Sequence, residues 1–224
     1  MKVDRSEMDK ARNDIHSQIQ TMGNNAVEAL RNVAEAFNHR DSERAQKIIE
    51  GDAQFNLLYQ SIHDQCLILI ARHQPVASEL REIITDLQIA VELERIADHV
   101  AAIARVVKTI KSESTPPVWI EIMNMIRHCV EMMEKMLKAY QESDKVSAEV
   151  IATTDEEIDR LNNLIVSEIL HFMKENENAI ENGTYLIWLV HHVERIGDRI
   201  TNIGEQILFS ASGEIIDWNI SKNK

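Results

Sequence analysis

Two short segments of the chain carry the same pair of acidic side chains. Residues 94–98 read ERIAD and residues 194–198 read ERIGD, so in each segment a glutamate precedes an aspartate by four positions. On a helix these two carboxylates lie on one face, where they repel each other by about 0.2–0.5 kcal/mol unless a cation lies between them. Each segment is therefore a candidate cation site.

The acidic pair recurs because the chain contains one unit twice. A shift of 103 positions places residues 26–41 on residues 129–144 and carries Asp52 onto Asp155. Further along, the shift falls to 100, which superimposes the two acidic segments and requires a three-residue deletion in a turn of the second copy. Self-similarity of this kind indicates a repeated structural unit.

Composition and apolar spacing both predict an all-α fold. The chain has only six glycines and three prolines, and aromatic residues make up 4% of it. Apolar residues recur every three or four positions, which is typical of helices that pack one face into a core. We expect a tandem repeat of two antiparallel three-helix bundles, at residues 1–113 and 114–224. The six predicted helices span residues 5–38, 41–73, 76–112, 117–142, 144–175 and 184–211.

Turn-forming residues mark the ends of these helices. Asp41 is a suitable N-cap for the second helix, and Pro75 lies at the opening of the third, where its missing N–H costs little. Two prolines follow Thr115, which we expect to cap the fourth helix. Asn182-Gly183-Thr184 is expected to end one helix and cap the next.

The acidic pairs stand beside the apolar stripe of their helix. At about 100° per residue, Glu94 and Asp98 lie roughly 100° and 140° around the helix from Leu93, which belongs to the stripe. The second copy repeats this arrangement, and Glu205 extends its acidic flank.

Hairpin geometry gives each acidic pair a partner segment. In two antiparallel helices, residues at equal height are symmetric about the turn. Residues 52–56 (DAQFN) and the first acidic segment are symmetric about Pro75, and residues 155–159 (DEEID) and the second segment are symmetric about residues 176–177. Each copy should therefore place four side chains, mostly carboxylates, between two helices.

Such clusters of oxygen ligands suit a hard or borderline cation such as iron, manganese, magnesium or zinc. We expect the second site to bind metal more tightly, because the first copy has Asn56, Ala102 and Arg105 where the second has an aspartate, an asparagine and a glutamate. The candidate ligands are Asp52, Glu94 and Asp98 in the first copy and Asp155, Asp159, Glu194 and Asp198 in the second, with His191, Asn202 and Glu205 as additional candidates. The alternative is a solvated helix face on which the acids pair with neighbouring arginines.

Net charge and hydropathy narrow the function classes. The formal charge of −13 disfavours binding to nucleic acid. The longest apolar runs, at residues 66–71 and 185–190, are too short to cross a bilayer, and the N-terminus lacks a signal peptide, so we expect a cytoplasmic protein. Cys66 and Cys129 lie in apolar helical stretches without metal-binding spacing and are expected to be buried free thiols.

The chain resembles the PhoU family of phosphate-uptake regulators. The residues that carry the resemblance are ARHQPVASELREI at 71–83, VELERIADH at 91–99 and HHVERIGDRITNIGE at 191–205, together with the DxxxD at 155 and the duplicated three-helix plan. The resemblance covers nearly the whole chain. It implies two similar bundles whose E/DxxxD pairs hold metal, often as a multinuclear iron cluster at the protein surface, on the seven acids given above.

The resemblance also implies a role and partners. The protein would be a cytoplasmic negative regulator that contacts the ATPase of the phosphate ABC transporter and the phosphate-sensing histidine kinase, and it is expected to form a homodimer. The chain has no phosphate-cradling glycine-rich loop and no nucleophile elbow, so no catalytic residue is assigned and an adaptor is favoured over an enzyme.

Two rival hypotheses remain open at this point. One is a carboxylate-bridged iron protein of the ferritin-like kind, with redox or storage activity, although such sites usually include Glu-x-x-His pairs that neither acidic segment contains. The other is a purely structural bundle with exposed acidic stripes.

Overall fold

The computed structural model describes residues 5–111, 115–153 and 155–213. For Arg5, Thr153 and Asp155 it describes the backbone alone. Within these ranges the chain forms α-helices, one short 3-10 turn at Glu177–Ala179 and no strand, which confirms the all-α fold. The helices are α1 Arg5–His39, α2 Ser42–His73, α3 Ser78–Thr109, α4 Trp119–Glu142, α5 Lys145–Thr153, α6 Asp155–Glu175 and α7 Ile180–Ser212.

The duplication is visible at equivalent helix ends. Asp41 caps α2 as predicted, because its Oδ1 accepts a hydrogen bond from Arg44 N at 2.9 Å. Asp144, the equivalent residue, accepts from the backbone N–H of Ser147 at 3.1 Å at the start of α5. The residues before these caps, Arg40 and Ser143, both have left-handed backbones with φ of 53° and 52°. The chain therefore reverses direction in the same way in both copies.

Several boundaries in the second copy differ from the prediction. The helix predicted over residues 144–175 is α5 followed by α6, with residue 154 outside the described residues. Thr115 does not cap α4, which begins at Trp119; its Oγ1 instead donates to the Lys111 carbonyl at 3.2 Å. The turn before α7 lies at residues 177–179, so the predicted stop at residues 182–184 was wrong.

Asn182 and Gly183 are inside α7 because tertiary contacts favour them there. The Asn182 side chain accepts from Lys111 N at 3.1 Å and donates to Lys111 O at 3.2 Å, so it ties the end of the first copy to the second. Gly183 allows α6 to approach closely, since a Cβ at this position would lie 2.4 Å from Met173 Sδ. Both residues are buried.

Replacing Gly183 with alanine should destabilise the protein by about 1–2 kcal/mol, because the new methyl group overlaps Met173 and displaces it. Gly51→Ala is the matched control. Gly51 is also inside a helix, but no atom lies within 4 Å of the position that a Cβ would take, so alanine there should stabilise by about 0.5–1 kcal/mol. Urea unfolding of both variants tests this, and equal effects at the two sites would contradict it.

The helices form two layers. α2, α3, α7 and the α5–α6 pair lie side by side, and α1 and α4 cover one face of this layer. The core is continuous between the copies and contains residues of both central helices, such as Leu93 and Ile96 of α3 and Ile196 and Ile200 of α7. Within the described ranges, no helix has the length and apolar character needed to cross a membrane.

α3 and α7 are antiparallel neighbours at the centre of the layer. His99 contacts His192, Glu92 contacts Arg199, and the Thr85 hydroxyl donates to the Gln206 carbonyl, so sequence numbers rise along one helix as they fall along the other. We call this contact the central seam. It places the two acidic segments at the same height.

Both cysteines are buried free thiols, as predicted. Burial, followed by the nearby Asp86, raises the pKa of Cys66 to about 12, so its thiol stays protonated at neutral pH. We expect neither thiol to react with Ellman's reagent in the folded protein and both to react after unfolding in guanidinium. Rapid labelling of the folded protein at pH 7.5 would contradict this.

Candidate metal centres

The register of the α2–α3 hairpin is the one predicted from Pro75. The Cys66 thiol lies 4.0 Å from the Ile83 carbonyl, and the Lys108 ammonium donates to the Gln46 side chain. These pairs are symmetric about residues 74–77, which form the turn. The hairpin therefore brings Asp52 level with the first acidic segment.

Asp52, Glu94 and Asp98 lie close enough for the charge of Asp98 to act on the other two carboxyl groups. Burial, followed by the charge of Asp98, raises the pKa of Asp52. Burial and then Asp98 also raise the pKa of Glu94, and Asp52 adds to this effect. The Oδ1 atom of Asp52 is buried and accepts no hydrogen bond from the residues that the structure describes. The cluster, which we call the first acidic cluster, is thus a set of mutually repelling carboxylates.

Arginines around the first acidic cluster reduce its negative potential. Arg105 lowers the pKa of Asp52, and Arg95 lowers that of Glu94. Both arginine side chains are exposed at the surface, where water screens their charge, and Asn56 is half-buried on α2. The residues that distinguish this copy from the second, Asn56 and Arg105, therefore lie at or beside the cluster.

The second acidic cluster is organised around an arginine. Glu194 and Asp198 are each 19% exposed, and Arg195 lies between them, with Nε 3.4 Å from Glu194 Oε2 and Nη1 3.2 Å from Asp198 Oδ2. His191 Nδ1 is 3.6 Å from the same glutamate oxygen, so His191 stands at the edge of this cluster. Arg195 therefore competes with a cation for these two carboxylates.

Of the two α6 acids predicted to join the second cluster, the structure describes the side chain of Asp159 only. Gly183 packs on Met173 and Ile169, and these pairs are symmetric about residues 176–178, which places the half-buried Asp159 level with Arg195. The Asp155 side chain lies outside the described residues.

The two additional candidate ligands on α7, Asn202 and Glu205, lie outside the second acidic cluster. The Asn202 amide donates to Glu92 Oε2 at 3.2 Å and so reaches across the central seam to α3. Glu205 is half-buried on α7, about two turns beyond Asp198.

The donor sets fit a hard cation, although the side chains are not closed around one. Within the described residues, no three His, Cys, Asp or Glu side chains converge closely enough to hold a metal ion as they stand. The first acidic cluster still supplies only oxygen donors, including the buried Asp52 oxygen, and its carboxylates repel one another. Asp52, Glu94 and Asp98 would hold a metal there, and Asp159, Glu194 and Asp198 would do so in the second cluster.

The sequence did not predict the histidine pair in the central seam. His99 and His192 point away from the acids, but their Nδ1 atoms lie 3.1 Å apart. Burial, followed by His192, lowers the pKa of His99 to about 4. Arg199 Nη1 lies 3.4 Å from Glu92 Oε2 in the same seam. The 100-residue shift relates Glu92 to His192 and His99 to Arg199. Polar residues at equivalent positions of the two helices were therefore the feature of the sequence that could have predicted this contact.

Both acidic clusters face the same side of the helix layer. A two-fold rotation that exchanges two adjacent antiparallel helices has its axis perpendicular to the plane that contains them. The duplication relates α3 to α7 by such a rotation, because the seam contacts are reciprocal. Equivalent flanks therefore point to the same side, and the protein presents one surface with two carboxylate clusters.

The fold and the clusters define a class of protein: a duplicated, all-helical, two-bundle protein with a pair of surface carboxylate sites. The sequence model of the PhoU domain matches this chain twice, at residues 19–107 and 122–207. The chain belongs to the PhoU family.

Relatives and solved structures agree over most of the chain. The phosphate-specific transport system accessory protein PhoU homolog of Clostridium acetobutylicum is 31% identical over 92% of this chain and 94% of its own length. The accessory protein PhoU of Escherichia coli is 30% identical over 89% of this chain and 83% of its own length. The crystal structure of the phosphate transport system regulatory protein PhoU from Streptococcus pneumoniae matches with a TM-score of 0.89 at 29% identity, over 94% of this chain and 99% of that one. The structure of PhoU from Pseudomonas aeruginosa matches with a TM-score of 0.88 at 29% identity, over 92% and 99%.

Proposed function

We propose that this protein is an accessory regulator of phosphate transport that acts through protein contacts rather than by catalysis. The observation that carries the proposal is the match to PhoU relatives over nearly the whole chain, since those relatives are named as accessory proteins of a phosphate-specific transport system. The regulator restrains uptake when phosphate is plentiful, from the cytoplasmic side of the membrane. Its partners are the transporter ATPase and the phosphate-sensing histidine kinase.

The acidic surface supports a contact role for the two clusters. Partly exposed carboxylates on one side of the helix layer give a surface of negative potential, reduced by the neighbouring arginines, which attracts basic protein surfaces and metal ions. We propose that metal, with iron as the first candidate and manganese, magnesium or zinc as others, binds at these clusters and sets the charge that a partner meets. Metal binding would thus regulate docking.

Deletion of the gene tests the regulatory role. We expect cells without the protein to take up more phosphate, and to express phosphate-starvation genes, in medium rich in phosphate. A plasmid with the wild-type gene should restore repression. Unchanged uptake and unchanged expression in the deletion strain would overturn the proposal.

Binding to purified partners tests the metal step separately. We expect the wild-type protein to bind the transporter ATPase or the kinase cytoplasmic region more tightly with Mn²⁺ than with EDTA. Glu94→Gln/Asp98→Asn and Glu194→Gln/Asp198→Asn should reduce this difference, whereas Glu168→Gln, an exposed acid elsewhere on α6, should not. Equal binding with and without metal would reject the metal step and leave the deletion result untouched.

One observation favours the alternative of a carboxylate-bridged iron protein. His191 supplies a nitrogen 3.6 Å from Glu194, as a redox iron site would use. That alternative predicts oxygen or peroxide consumption when Fe²⁺ is added, and loss of this activity in His191→Ala. The absence of metal-dependent consumption would reject it.

The homodimer expected from the sequence stays a prediction. Sedimentation equilibrium of the purified chain at micromolar concentration tests it, with and without Mn²⁺, and a single monomeric species under both conditions would contradict it.

A further inference from the structure

A polar cavity of about 690 Å³ lies at one end of the helix layer, and Asp86 in its wall is about two turns of α3 from the first acidic cluster. Four helices wall it: the first half of α1, the start of α3, the end of α4 and the end of α7. Its lining includes the side chains of Asp9, Arg12, His16, Asp86 and Tyr140. None of these residues takes part in the metal centres.

Three of the lining groups are held in a fixed arrangement. The Tyr140 hydroxyl donates a hydrogen bond of 2.6 Å to Asp86 Oδ1, and this bond joins α4 of the second copy to α3 of the first. The His16 ring stacks on the Tyr140 ring, with centroids 4.4 Å apart and planes inclined by 24°. Asp86 is therefore oriented by a buried phenol that has a second ring against its face.

At the equivalent location in the other half of the molecule, the side chains that pack together are apolar. The 103-residue shift relates His16 to Trp119 and Tyr140 to Phe37, and Trp119 stacks on Phe37 with centroids 3.9 Å apart and planes inclined by 14°. The 100-residue shift relates Asp86 to Leu186, which is fully buried. The two ring pairs are thus equivalent in geometry and opposite in polarity.

A second difference between the two ends lies beside the ring pairs. In the apolar half, Arg40 lies over the Trp119 ring, with its guanidinium carbon 4.7 Å from the ring centroid. Ser143 occupies the equivalent position in the polar half and lines the cavity. Apolar residues at the equivalent location therefore hold the same helices together, so the polar trio is not needed for the fold.

The charges of the lining favour a cation over an anion. Arg12 forms an ion pair with Glu82, so its charge is already balanced. Burial, followed by Arg12, lowers the pKa of His16, which is neutral at pH 7. Among the described residues, Asp9 and Asp86 form no ion pair within the cavity. A net negative charge remains at its wall.

We propose that this cavity binds a small organic cation, whose primary ammonium group lies against the Asp86 carboxylate while Asp9 adds negative charge at the wall. The volume is much larger than a metal ion needs, and no three lining side chains are grouped to hold one. Hydroxyl and amide groups of the lining, on Asn13, Gln141, Ser143 and Ser210, are available for hydrogen bonds to the rest of the ligand. The site is independent of the metal clusters and of the proposed regulatory role.

NMR titration with 1,4-diaminobutane as the probe, at pH 7.5 with EDTA present, tests the proposal. We expect saturable shifts of the backbone amides at residues 9–16, 82–86, 140–143 and 207–211. Asp86→Asn removes the charge but keeps an acceptor for Tyr140, and it should weaken binding about tenfold or more. Asp64→Asn is the matched control, since it removes one charge from a side chain that is 75% exposed on α2, and it should leave the affinity within about twofold.

A second variant replaces the three polar residues with their apolar equivalents from the other half of the molecule. His16→Trp/Tyr140→Phe/Asp86→Leu places the residues of the other end at this location, so it should fold and give no saturable shifts. In the wild type, the backbone amides of α1, α3 and α4 should also shift less on addition of the diamine at pH 5 than at pH 7.5, because Asp86, whose pKa is about 6, is protonated at the lower pH. The titratable groups that line the cavity or act on Asp86 are Asp9, Arg12 and His16 on α1, Glu82 on α3, Tyr140 on α4 and Cys66 on α2. The lining residues of α7 do not titrate.

Three results would overturn the proposal. The first is shifts spread over the acidic surface and equal in Asp64→Asn and Asp86→Asn, which is nonspecific attraction. The second is no saturable response to the diamine at millimolar concentration. The third is a response of the same amides to inorganic phosphate and not to the diamine.

Discussion

Asp86→Asn should raise the free energy of unfolding at pH 7.5 by up to about 3 kcal/mol and leave it nearly unchanged at pH 4. Burial raises the pKa of Asp86 from 3.8 to about 6, against the opposing effects of the Tyr140 hydrogen bond and Arg12. Each unit of such a difference corresponds to about 1.4 kcal/mol. A carboxylate of this kind is a liability in the folded state, and its replacement by a neutral amide removes the liability while Tyr140 keeps its acceptor.

The direction of the pH dependence follows from the same shift. Between about pH 4 and pH 6 the folded protein holds a proton on Asp86 that the unfolded chain has released, so the contribution of Asp86 to stability is largest below pH 4 and falls as the pH rises through 6. His16, whose pKa is lowered by burial and then by Arg12, contributes in the opposite direction, because stability is lost when it must be charged at low pH.

Urea unfolding at several pH values, with the wild type and Asp86→Asn compared at each, isolates the effect, because His16 is present in both proteins. Asp64→Asn should track the wild type throughout. A difference between wild type and Asp86→Asn that is equal at pH 4 and pH 7.5 would show that the carboxylate is not held at a raised pKa. The stability that the wild type forgoes is consistent with a residue kept for binding rather than for folding.

Divalent metal should stabilise the protein through the acidic clusters, by about 2.7 kcal/mol when the free metal reaches 100 times its dissociation constant. Burial and then Asp98 raise the pKa of both Asp52 and Glu94, and a cation between the carboxylates removes the repulsion. Mn²⁺ is a suitable probe because it does not oxidise readily. Thermal unfolding with Mn²⁺ and with EDTA measures the difference.

The duplication supplies matched variants for this experiment. Glu94→Gln/Asp98→Asn and Glu194→Gln/Asp198→Asn change equivalent residues in the two copies, and each should remove part of the stabilisation. The sequence predicts the larger loss for the second pair, whereas the arginine between those two acids opposes metal entry there. Without metal, the first double variant should be slightly more stable than the wild type, because it relieves repulsion among like charges.

Metal analysis of protein purified without chelator completes the test. We expect bound metal in the wild type and less in each double variant, with Glu168→Gln/Glu175→Gln as the control for acids outside the clusters. Wild-type protein that carries no more metal than a variant with both pairs neutralised would reject the metal centres.

The first acidic cluster was predictable from sequence because it depends on local geometry. Helix periodicity places Glu94 and Asp98 on one flank, and a short turn at Pro75 fixes the register that brings Asp52 level with them. The cap at Asp41 is local in the same way, since a carboxylate reaches the backbone three residues ahead. Such features need no knowledge of the rest of the chain.

The positions at which the predicted helix boundaries were wrong share a different property. Their conformation depends on contacts with residues that are distant in the sequence or precede the helix. Asn182 and Gly183 have the composition of a turn, yet the Lys111 backbone and the Met173 side chain favour their place inside α7. Thr115 is likewise engaged by Lys111 rather than by the helix after it.

By itself, then, the sequence determined the all-helical fold, the duplication, the pairing of each acidic segment with its own hairpin partner and the membership in a family. Tertiary structure alone decided that α3 and α7 lie antiparallel, so that the two acidic segments are level and face one side, and that one end of the molecule is an apolar stack while the other is a polar cavity around Asp86. The physical reason is that periodicity and turns act over a few residues, whereas contacts between the copies join residues about a hundred positions apart, for which a single chain carries no local signal.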